Sequence, residues 1–199
     1  MSCEIKNLKP LSLTQPLFFR NGNKVSAMAE LKNLNSTYGS DEVKYRIDFY
    51  DNEGDVLKTI SKYDFIYSND RKYLVEAGVD DSERVIEKAV FTLEGNNWKS
   101  ISEWRSPVVE LKNLNTAGQK DIYVVSGRVK NPNNFTISKI VISAVLGSNF
   151  DVKAGVSKTE IENLGPFQEK DFQVFVAPDS LLADKIDMRA TEVVVEGIK

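Results

Sequence analysis

Histidine is absent from this sequence, and cysteine occurs once, as Cys3. An internal disulfide, a thiolate–imidazole pair and a histidine metal site are therefore excluded, and with them most zinc chemistry and the Ser/His/Asp triad. No apolar run approaches the roughly 18 residues that a membrane-spanning helix needs. The start, MSCEIKNLKP, lacks a basic stretch followed by an apolar one, so it does not read as a secretory leader. A basic excess is missing too: 26 Lys and Arg stand against 29 Asp and Glu, for a net charge of −3. That balance offers no footprint for a phosphate backbone, so nucleic acid is not an expected partner. Gly-rich phosphate cradles are also lacking. What is present is ample apolar material, 41% of 199 residues, enough for two packed cores of about 100 residues each.

The pattern is β throughout. VSAMAELKN, VKYRIDFYD, KAVFTLEG, DIYVVSGRVKN, SKIVISAVL, DFQVFVAP and TEVVVEG are rich in β-branched and aromatic residues, several with period-two alternation. Between them lie LNSTYGSD, DNEGD, NPNN and NLGP, whose residues favour turns through left-handed backbone, fixed φ or side-chain caps. Such spacing indicates sandwiches or barrels. Ser180 to Met188 is the one segment expected to be helical, for a turn or two, with Ser180 as its N-cap.

ELKNLN occurs twice, from Glu30 and from Glu110, a spacing of 110 − 30 = 80. The residues that follow the two copies do not superpose. A better register aligns AELKNLN at Ala29 with GRVKNPN at Gly127, a spacing of 127 − 29 = 98. Both are then followed by a strand, a hairpin and a second strand; Leu74 aligns with Phe172 and Ile66 with Leu164. Upstream, EIKNL at Glu4 is paired with ELKNL at Glu110, with PLFFRNGN read as an insertion in the first copy. Within KNLN and KNPN the asparagines are expected to turn the chain rather than bind a ligand.

The order A/G-x-[LV]-K-N-x-N, a strand ending IDFYD, a turn, Gly54 and DVL resembles the FxLYD domain, an immunoglobulin-like bacterial module. Ile47, Phe49, Tyr50 and Asp51 stand at that family's named positions. Leu164, Gly165, Pro166, Phe172 and Val174 are similar to its ending, whereas Ala144 to Ser148 departs from it, lacking the tyrosine and aspartate. The resemblance implies an all-β chain of two tandem immunoglobulin-like (FxLYD/fibronectin type III-like) β-sandwich domains, residues 1–104 and 105–199. It further implies a membrane-tethered surface protein whose anchor lies upstream of this chain, with Cys3 as the remnant of a cysteine-rich segment, and an extracellular or cell-envelope location.

Candidate sites are few. DNEGD, Asp51 to Asp55, gathers three carboxylates but lacks the further ligands of a calcium loop. Asp80, Asp81 and Glu83 read as a solvated acidic loop. Tyr45, Phe49, Phe91, Tyr123 and Phe172 fall at core positions. Phe18, Phe19, Trp98 and Trp104 lie near turns or near the junction at Ser106 and Pro107, and are the candidate partner-binding residues. The expectation is a non-enzymatic adhesion, spacer or protein-interaction module with a protein or glycan partner and no cofactor or metal. The alternatives are a carbohydrate-binding module and a periplasmic two-domain chaperone.

Overall fold

A computed structural model describes residues 7–119 and 121–199. Cys3 and the Glu4 end of EIKNL lie outside the described residues. Among the described residues there are thirteen strands. The first seven are β1 (Ser12–Leu13), β2 (Leu17–Asn21), β3 (Lys24–Lys32), β4 (Tyr38–Tyr50), β5 (Val56–Ile66), β6 (Arg71–Asp80) and β7 (Lys88–Ser100). The rest are β8 (Glu110–Gln119), β9 (Ile122–Lys130), β10 (Ile137–Ser148), β11 (Lys153–Leu164), β12 (Glu169–Val176) and β13 (Ile186–Ile198). All seven runs read from the sequence fall on strands. The Ser180 to Met188 segment does not form the expected helix. It contains a three-residue 3-10 turn, Ala183–Lys185, before β13 starts at Ile186. The Asp179 carboxylate, not Ser180, accepts the local amide, that of Leu181 at 2.9 Å.

The repeat at 98 residues runs through the strands: β3 and β9 begin at 24 and 122, β6 and β12 at 71 and 169, and β7 and β13 at 88 and 186. Each copy has a sheet in which β3 pairs with β1, β2 and β6, or β9 with β8 and β12. Each also has a three-stranded antiparallel sheet, β5-β4-β7 or β11-β10-β13. The protein is thus all-β, with immunoglobulin-like β-sandwiches in tandem. In the second sandwich Val125 and Val129 of β9 and Phe172 and Val174 of β12 share one core with Ile140 and Ile142 of β10 and Ile161 of β11. In the first sequence copy Tyr45, Ile47 and Phe49 of β4 are buried at alternate positions, as are Leu31 and Leu74, and Tyr45 stacks on Phe91 with ring centres 6.4 Å apart.

The upstream pairing of Glu4 with Glu110 is corrected. Ser12 lies opposite Lys32 and Glu110 opposite Lys130, so Ser12 is the counterpart of Glu110, and 110 − 12 = 98 again. PLFFRNGN is not an insertion. It occupies β2 and its turn, which the second copy builds from the later half of β8. Two short similar peptides misled the alignment, since sequence likeness ignores which residues face each other across a ladder.

The chain divides into two compact units. One holds the described residues up to Leu17 together with Met28–Leu74 and Glu83–Arg105. The other holds Phe18–Ala27, Val75–Ser82 and Ser106–Lys199. Repeat and unit are therefore different partitions: β2 and the adjoining parts of β3 and β6 belong to the first sequence copy but to the second compact unit.

Candidate functional site

The KNxN motifs build the same buried network in each copy. Asn33 Nδ2 donates to the carbonyls of Tyr38 (2.7 Å) and Tyr67 (2.8 Å), while its Oδ1 accepts the amide of Asn35 (3.0 Å) and that residue's Nδ2 (2.9 Å). Asn131 Nδ2 donates to the carbonyls of Phe135, Leu164 and Gly165 at 2.8 to 2.9 Å. Its Oδ1 accepts the amide and Nδ2 of Asn133. Asn35 and Asn133 then reach back to the start of their own copy, at the carbonyls of Lys9 and Val108. Asn33 and Asn131 are almost wholly enclosed, so every polar atom needs a partner, and backbone groups of the surrounding loops supply them. The expectation that these asparagines turn the chain is met, and extended: each ties two distant loops together.

DNEGD is a hairpin turn. Asp51 Oδ1 accepts the amides of Glu53 (3.0 Å) and Asp55 (2.9 Å), and Gly54 sits at φ +89°. Oδ2 pairs with Arg84, which also approaches Asp55 at 3.4 Å. Burial pushes the Asp51 carboxyl up, but the Asp55 amide, the Arg84 charge and the amides of Glu53 and Gly54 together outweigh it and hold it below the usual range. Ligand oxygens of Asp51, Glu53 and Asp55 lie within 4.8 Å of one another. A cation there would have to displace Arg84. The second acidic group is solvated at Asp80 and Glu83, as expected, but Asp81 is buried and paired with Arg20. Asp80 is exposed and bonded to Lys24 at 2.8 Å, and that lysine lowers its pKa first, followed by the Ser82 hydroxyl and amide.

The four candidate aromatics are divided between the two units. Trp104 and Trp98 belong to the first unit, Phe18 and Phe19 to the second. Trp104 stacks on Tyr67 at 4.0 Å between ring centres and meets Phe65 edge-on at 6.1 Å. A β-carbon on Gly39 would come within 2.8 Å of the Trp104 ring, so glycine is what lets the indole close the end of the core. Trp98 is half-buried opposite Ser40. Phe18 lies under the Arg20 guanidinium, 5.8 Å from ring centre to charge.

Phe19 is buried, and lines a cleft of about 250 Å³ in the second unit with Ile122, Val156, Phe175, Lys24 and Ser157. Phe175 and Ile122 are about half exposed. Beside it Asn21 Nδ2 donates to the Pro178 carbonyl (2.8 Å), and the Arg20 amide to Asp179 (2.9 Å). Sequence reading found Phe19 but missed Ile122, Val156 and Phe175. Each occupies an ordinary strand position, and only the fold brings them to the β2–β3 hairpin.

No family model matches the chain, and no curated protein matches it. Among solved structures it is similar to a transglutaminase of red sea bream over 98% of its own length, at 12% identity and a TM-score of 0.30. It spans about a third of that chain, 32%. A likeness this weak carries no argument about activity or partners.

Proposed function

We propose that this chain is a non-enzymatic tandem segment of a bacterial cell-surface protein, acting as spacer and protein-interaction module, with FxLYD-like copies at residues 1–104 and 105–199. The observation that carries the reading is the asparagine network built twice at a spacing of 98. The most distinctive polar residues of each copy are spent on fastening its own loops. Two copies of one internally locked sandwich suit a load-bearing spacer, and exposed loops and sheet edges remain for contact. The contact surface we favour is the cleft of Phe19, Ile122 and Phe175, an apolar floor with Lys24, Asn21 and Ser157 at hand. The surface location follows from the FxLYD resemblance.

Pulling the chain from its ends tests the spacer reading. Two cooperative unfolding steps are expected, each releasing about one copy. Gradual extension without steps would reject it. Glycan-array binding that disappears in Trp98→Ala or Trp104→Ala would replace it with the carbohydrate-binding alternative.

A further inference from the structure

Lys72 is the largest charged side chain enclosed by the first unit, with 1% of its side chain exposed. Its Nζ lies 2.6 Å from Asp64 Oδ1 and 3.7 Å from the centre of the Phe65 ring. Phe65 is itself covered by Tyr67 and Trp104. Asp64 belongs to β5 and Lys72 to β6, strands of the two different sheets of the first copy. The second copy places the corresponding residues, Glu162 and Lys170, in solvent. Enclosing an ammonium and a carboxylate costs several kcal/mol per ion, a cost that attraction often fails to recover. Joining them as a neutral amide removes that cost.

We propose that Lys72 and Asp64 form an intramolecular isopeptide bond. The contact first passes one proton from the ammonium to the carboxylate, giving an amine and a carboxylic acid. Nζ then attacks Cγ of Asp64, forming the C–N bond. The C–O bond to the hydroxyl breaks, and a second proton from nitrogen leaves with that hydroxyl as water. The sum of ammonium and carboxylate equals amide and water, with no oxidant, reductant or cofactor. The enclosure supplies what the uncatalysed reaction lacks, a fixed approach and little competing water. Asp70 lies two residues before Lys72 and within reach of its charge. Burial raises its pKa against the opposing Arg71 amide, Lys72 charge and Tyr67 amide.

The bond would staple the two sheets at one corner; the mechanical benefit rests on the spacer reading, but the bond itself does not. The test is the intact mass of the purified, denatured full chain. It should be lighter than the sequence mass by one water, and trypsin should yield residues 63–71 joined to residues 72–84. Lys72→Arg keeps the cation without a competent nucleophile and should restore the full mass. A wild-type chain at full mass overturns the proposal. So does a water loss that persists in Lys72→Arg, or that maps to a linear peptide, because dehydration elsewhere would then be its source.

Discussion

The two copies share their asparagine locks and differ at their hairpin tips. In the first, Asp51 organises the turn with its carboxylate, and Glu53 and Asp55 face outward beside Arg84. In the second, Ser148 does the same job: its hydroxyl accepts the Phe150 amide at 3.2 Å, and its backbone amide reaches the Val152 carbonyl at 2.9 Å. Gly54 at φ +89° has its counterpart in Asp151 at φ 56°. Phe150 and Val152 stand, largely exposed, where Glu53 and Asp55 stand in the first copy. One turn geometry therefore tolerates opposite surface chemistry. The turn is set by an oxygen acceptor at its first position and a left-handed residue at its fourth; the residues between are free to vary. The same holds at the asparagine locks, where exposed Leu34 in one copy is Pro132 in the other.

The strongest way to break the comparison is at the locks. Asn33→Ala and Asn131→Ala each strand several enclosed backbone groups at once. At roughly 1–3 kcal/mol for each unsatisfied group, each should cost about 3 kcal/mol or more by denaturant unfolding. A loss below about 1 kcal/mol in either copy would mean that the two networks are alike in geometry but not in weight.

The tips should respond less. Gly54→Ala forces a β-carbon into left-handed backbone and should cost roughly 1 kcal/mol, whereas Asp151→Gly in the second copy should gain up to about 1 kcal/mol. Equal signs for the two changes would show that the turns are not equivalent. Calcium should leave the melting temperature unchanged, since Arg84 already holds Asp51; a rise would place the ion at this turn.

The smallest effect is a local pH dependence. Asp51 has a folded pKa below its unfolded one, so its contribution is present above the ordinary carboxylate range and is lost as pH falls through the folded value. Ser148 does not titrate there. Hydrogen exchange should show the Asp55 amide losing protection on acidification while the Phe150 amide keeps its own. Parallel loss at both would assign the effect to general acid unfolding.

By itself the sequence determined the all-β class and seven of the thirteen described strands, the spacing of 98, the turn role of the asparagines and the hairpin at DNEGD. These are legible because they depend on local pattern: alternation marks a half-buried strand, and Asn, Asp and Gly disclose the backbone they favour. Strands β5 and β11 were less plain, as VLKTISKYDFI and KAGVSKTEIENL carry many polar residues on strands whose inner faces are only partly apolar. Tertiary structure alone decided three further matters. Ser12 rather than Glu4 matches Glu110, because register is fixed by cross-strand partners. Phe19 meets Ile122 and Phe175, because residues far apart in the chain become neighbours only when sheets close. Lys72 is taken out of water beside Asp64 while Lys170 stays in it, because burial depends on what packs above a strand. In the first copy that cover is Phe65, held in place by Trp104, and no pattern within β6 announces it.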